Sequence, residues 1–198
     1  MSQTGRTVLI VTLSVGALLC GLGSLCAGFV GLIFVSAEDQ QVDPADYPFL
    51  ITATHLAGYL DHWAPDERQA TTSLVDWFDG SVELEYEYED DGFYLLVGAS
   101  NDIRVEDAEL TYSAYLFGEE IGMASEPGMR IIPSDQLFSW GDESSTVTYF
   151  YDAEPVGNRF IGRLGTKVYY ASWAGVYFDE AWAMEELLRA AVTDFERW

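Results

Sequence analysis

Few residues in this chain are of a type and spacing that can do chemistry. His55 and His62 are the only histidines, seven residues apart with Asp61 beside the second. On a continuous helix they share a face. A zinc site needs a third ligand and a tighter spacing than this, so surface or packing histidines are expected and no metal. Glu83, Glu85, Glu87 and Glu89 alternate with Leu84, Tyr86 and Tyr88. On a strand, alternate side chains of one face lie about 7 Å apart, too far for a tight carboxylate pair. A solvated sheet face is expected there.

The stretch FSWGDESS, residues 138–145, sets Trp140 beside Asp142 and Glu143. An aromatic with acids on a loop can recognise a cationic or sugar-like group. The competing reading folds Trp140 back onto the sheet as a core plug. These three residues are the candidate binding set. There is no G-x-S-x-G, P-loop, H-E-x-x-H or EF-hand loop. No catalytic residue and no cofactor is expected. Cys20 and Cys26, the only cysteines, lie inside an apolar run and frame no disulfide network.

That run, Val8 to Val35, holds no charged residue over 28 positions. As a helix it would extend about 42 Å, enough to cross a hydrocarbon core of about 30 Å with tilt. A transmembrane helix in the lipid bilayer is expected over 8–35. Cleavage after Ala37 is the alternative, since Val35-Ser36-Ala37 offers small residues at the −3 and −1 positions. Arg6 precedes the run, and no basic residue follows until Arg68. The N-terminus, residues 1–7, is therefore expected in the cytoplasm of a single-pass cell-membrane protein, with the C-terminal domain outside. Gly16, Cys20, Ser24 and Gly28 recur every fourth residue, a small-residue ridge that suits homodimerisation or a partner helix.

Of 198 residues, 33 are acidic and nine are lysine or arginine, a net charge of −24. Such a surface repels nucleic acid. Residues 36–47 are acidic and proline-flanked, and are expected to form a tether. Residues 48–198 suit one domain. Thr52 is placed to cap a short helix through Leu60, and Pro65-Asp66-Glu67 to open another. Asp79-Gly80 and Asp90-Asp91-Gly92 are placed as turns, with a central strand over 93–99. A helix starting at Asn101 or Asp102 would end at Gly118 or Gly122. Strands are expected at 130–132, 145–151, 158–164 and 166–174. Asp179 would cap a last helix, burying Met184, Leu188, Phe195 and Trp198 against Tyr169 and Tyr170.

Helices on an antiparallel sheet make this an α+β chain. From Leu74 to Trp198 the order of elements resembles the Mog1/PsbP-like family, which includes DcrB-like envelope domains. VELEYEYEDDGFYLLVGAS, VEDAELTYSAYLFGEEIGM and NRFIGRLGTKVYYASWAGVYFDEAWAMEELL carry the likeness. The resemblance implies a binding or assembly factor for an unidentified protein or small-molecule ligand. The other function class is an envelope hydrolase with a dispersed site.

Overall fold

The computed structural model describes residues 38–60, 63–90, 92–124 and 128–198. Its strands are β1 (Glu38–Gln41), β2 (Thr71–Asp76), β3 (Val82–Asp90), β4 (Phe93–Asn101), β5 (Met129–Pro133), β6 (Glu143–Tyr151), β7 (Glu154–Leu164) and β8 (Lys167–Ala174). The helices are α1 (Ala53–Ala57), α2 (Val105–Ala124) and α3 (Ala181–Phe195). All strands join one antiparallel sheet in the order β1-β2-β3-β4-β8-β7-β6-β5. The chain is α+β, as expected.

Two meanders make this sheet, and α2 links them. β4 ends mid-sheet, while β5 lies at the far edge, four strand spacings or about 19 Å away. A helix of 20 residues extends about 30 Å, enough for the crossing. The chain then returns hairpin by hairpin until β8 closes against β4.

Strand period sorts the side chains into two cores. On one face Leu84, Tyr86, Leu95, Val97, Tyr169, Trp173 and Phe160 meet α1 and α3. There Phe195 packs 5.3 Å from Phe49, 5.5 Å from Tyr169 and 5.7 Å from Trp198, ring centre to ring centre. The Tyr169 hydroxyl donates to the Phe49 carbonyl at 2.7 Å, tying the segment before α1 to β8. On the other face α2 lays Ala108 and Tyr112 on Ile161, Val168 and Tyr170. Gly98 lets α2 sit close, since a Cβ there would lie 3.2 Å from the Tyr115 hydroxyl.

Several local expectations are corrected. Part of the expected tether is structured: residues 38–41 form edge strand β1, paired to β2, and Pro44–Asp46 form a 3-10 turn. α1 stops at Ala57, short of Leu60, and the Pro65 region yields only a 3-10 turn, Glu67–Gln69. α2 begins at Val105, because the Asp102 N–H donates to the Thr166 carbonyl and so prolongs the β4–β8 ladder. It continues past Gly118, which takes no left-handed angle and so caps nothing. Glu180, not Asp179, is the N-cap of α3, and its carboxylate accepts from the Trp182 indole. Met184, Leu188 and Phe195 are buried on Tyr169's face, but Tyr170 points to the opposite face and stacks on Tyr115. Among the described residues no helix is long and apolar enough to cross a membrane; residues 8–35 lie outside them.

Glu67 ties α1 to the sheet. It accepts from the Thr54 N–H at 2.8 Å, the Thr54 hydroxyl at 2.6 Å and the Tyr86 hydroxyl at 2.7 Å. Burial works against its charge, but these hydrogen bonds win and hold the carboxyl below the usual glutamate value. Its stabilisation is therefore present above the unfolded-state pKa and lost as pH falls through the lowered one. Glu67→Ala should cost about 1–2 kcal/mol near neutral pH, in the range of lost caps and charged hydrogen bonds. Urea titrations of both proteins should show the gap closing on acidification; a gap that widens would refute this role.

Candidate functional site

The stretch 138–145, a loop that runs into β6 at Glu143, is an internal latch. Gly141 has φ +78°, and a Cβ there would lie 2.1 Å from the Arg163 carbonyl, so the loop backbone runs directly against β7. Asp142 donates its N–H to that carbonyl at 2.7 Å and accepts from the Gly165 N–H at 2.8 Å. Glu143 takes the Arg163 Nε–H at 2.6 Å. Glu109 of α2 stands 3.7 Å from the same guanidinium. The Arg163 side chain is 9 % exposed, so these carboxylates ring a nearly buried cation.

Trp140 is 7 % exposed, 6.2 Å from the Phe195 ring, and its indole N–H donates to Glu196 at 2.7 Å. It is the core plug, not the partly packed aromatic expected of a contact loop. Asp142 and Glu143 are engaged with the chain itself. The candidate set is thus brought together: Trp140 faces inward, while the Asp142 and Glu143 side chains stay 52 % and 42 % exposed beside Arg163.

The other chemically capable residues are also accounted for. The His55 Nδ1 accepts the Thr52 N–H at 2.9 Å, so this histidine helps cap α1. Asp61, His62 and the ridge Gly16, Cys20, Ser24 and Gly28 lie outside the described residues. Among the described residues no cluster of histidine, cysteine or carboxylate is arranged to hold a metal. The glutamates of β3 do share one face, but Glu83, Glu85 and Glu87 are half-buried and only Glu89 is exposed. Glu83 accepts from the Tyr115 hydroxyl at 2.7 Å. Burial, and then the charge of Glu89, push the Glu87 carboxyl above its usual value. The expected solvated face is in part a boundary to α2.

A different stretch with the same ingredients stays open. In WFDGS, residues 77–81, Asp79 accepts from the Ser81 N–H at 2.9 Å and the Ser81 hydroxyl at 2.7 Å. Gly80, at φ +91°, completes the turn. The rigid tip holds Phe78 70 % exposed. Behind it lies an open cleft of about 220 Å³, lined by Trp77, Asp79, Glu83, Asp102 and Thr111. Burial raises the Asp102 carboxyl above its usual value, while the Thr111 and Ser100 hydroxyls pull against that shift. Carboxylates with an aromatic rim suit a positive group carried on an apolar body. The aromatic pair before an acid–glycine turn was the available signal for this site; its sequence reading stopped at the hairpin.

The apolar surface continues onto α2. Ile103, just before the helix, is 53 % exposed, Leu110 70 % and Phe117 55 %. Seven-residue spacing puts Leu110 and Phe117 on one line, about 20° out of step per repeat. Ser113 and Ala114 between them are exposed, and a Cβ on Gly118 would meet nothing within 4 Å. Hairpin and helix adjoin, since a Cβ on Gly80 would lie 3.3 Å from Ile103 Cδ1.

Truncating Trp140 separates a plug from a recognition residue. Trp140→Ala should cost about 3–5 kcal/mol, as for other buried aromatic truncations. A denaturant titration showing a loss under 1 kcal/mol would return Trp140 to the contact surface. No protein-family model, no curated protein and no solved structure matches this chain.

Proposed function

We propose that this chain is a binding or assembly domain outside the cytoplasm, held at the cell membrane by the apolar segment 8–35, and that α2 is its docking face. The observation that carries the reading is the set of large apolar side chains kept in solvent there. Leu110 and Phe117 project from the outer side of a helix whose inner side is already packed. Isolated exposed apolar residues need no explanation, but large ones aligned along one side of a helix point to an interaction surface. The charge of the chain makes the feature sharper, because with 33 acidic residues the surface has no shortage of polar alternatives. The segment 8–35 supports the anchored placement by its length and lack of charge. The order of elements supports a role like that of the Mog1/PsbP-like and DcrB-like envelope domains that the sequence resembles.

Extraction of the native membrane in mild detergent tests this reading. The full-length chain should migrate on a native gel in a complex larger than itself. The double variant Leu110→Ser, Phe117→Ser should fold with unchanged stability and migrate alone. Protease added to intact cells from outside should reach the domain. A wild-type chain that runs alone, a variant that keeps the complex, or a domain shielded from external protease would each count against the proposal.

A further inference from the structure

Resting on that docking face, we infer its occupant: a cationic amphipathic helix of a partner protein, its apolar side along Leu110 and Phe117 and its lysines or arginines toward the acidic cleft beside Ile103.

The shape of the ridge selects a helix. Leu110 and Phe117 are two turns apart, about 10 Å along the axis. Exposed Ser113 and Ala114 leave a low saddle between these knobs. A facing helix places one side chain into such a saddle, as ridges pack into grooves. A strand would present side chains every 7 Å or so, out of step with this spacing.

Charge selects the sign. Within its span α2 carries five acidic residues and no basic one. The adjacent Arg104 is held by both oxygens of Asp107, at 2.8 and 2.9 Å. The cleft at the start of the ridge adds Asp79, Glu83 and Asp102. A second copy of the chain fits poorly. Residues 36–198 hold 8 basic and 33 acidic residues, a charge of −25, and pairing two such domains brings like charges together. An anionic lipid surface is disfavoured for the same reason. A cationic partner gains on approach and keeps its gain at contact.

Three synthetic 21-residue helical peptides test this, with one shared leucine face and a polar face of lysine, glutamine or glutamate. Each is titrated by fluorescence anisotropy into the full-length chain in nanodiscs of zwitterionic lipid. The lysine peptide should bind at least tenfold tighter than the glutamine peptide, and the glutamate peptide should be weakest. Leu110→Ser with Phe117→Ser should weaken the lysine peptide tenfold or more. Trp182→Ser, at an exposed position of α3 on the opposite face of the sheet, should leave it unchanged. Glutamine or glutamate peptides that match the lysine one would overturn the charge of the partner while leaving the docking face intact. Equal loss in the Trp182 variant, or none in the ridge variant, would reduce the effect to general attraction and overturn the site. Failure of all three peptides would overturn the docking face as well. Wild-type chain that dimerises while the ridge variant does not would name a second copy as the occupant.

Discussion

The scarcity of positive charge is the constraint to which the rest of this structure answers. Nine lysines and arginines face 33 carboxylates, so each base sits among many possible partners. The most consequential is Arg163. It lies nearly buried on β7 and joins Glu143 at the start of β6, Asp142 in the preceding loop and Glu109 on α2. The Arg163 side chain is 9 % exposed while the three carboxylates keep 55 %, 52 % and 42 % of their side-chain surface in water, so it is the cation that depends on the pairing. Lys167, the only lysine, turns to backbone instead: its Nζ donates to the Glu196 carbonyl at 2.6 Å, at the negative end of α3. The pairs Arg68–Asp66, Arg104–Asp107, Arg189–Glu185 and Arg197–Asp194 are local and solvent-screened, and each adds little.

With ionic attraction so limited, cohesion falls to apolar burial, and tyrosine resolves the conflict between that burial and the acidic strands. Tyrosine buries a ring and still offers a donor to an acceptor. Tyr86 reaches Glu67, Tyr115 reaches Glu83, Tyr149 meets Ser172 and Tyr169 meets a backbone carbonyl. On β3 the alternation of glutamate and tyrosine sorts the two: rings fill one face, and on the other Glu83 receives the Tyr115 hydroxyl from α2. Because the sheet is covered by short α1, by α3 and by α2, the outer side of α2 is left to make contacts of its own.

Much of this was readable in the sequence because it is local. Period-two alternation and the Asp-Gly and Asp-Asp-Gly turns put β3 to β8 within a few residues of their places. Edge strand β1 escaped because EDQQ has no apolar face; pairing to β2 makes it a strand. The start of α2 shifted because Asp102 is claimed by Thr166, a residue from another hairpin. Trp140 could not be placed from its neighbours, since Glu196 and Phe195, which hold it, come from the far end of the chain. The cleft is likewise assembled from a hairpin, a strand end and a helix, so no single stretch announces it. The inner side of α2 was legible from the spacing of Ala108, Tyr112, Tyr115 and Leu116; Leu110 and Phe117, exposed on the other side among acidic residues, fall outside that spacing.

The central claim is that the outer side of α2 meets a partner. Its most direct test is site-specific photocrosslinking in the native membrane, with a photoreactive side chain at position 117 and, as control, at position 182. Both sites are solvent-exposed, at 55 % and 63 %. The account predicts a discrete crosslinked product of fixed mass from position 117 and none of that mass from position 182. Equal products from both positions, or no product from 117, would contradict it.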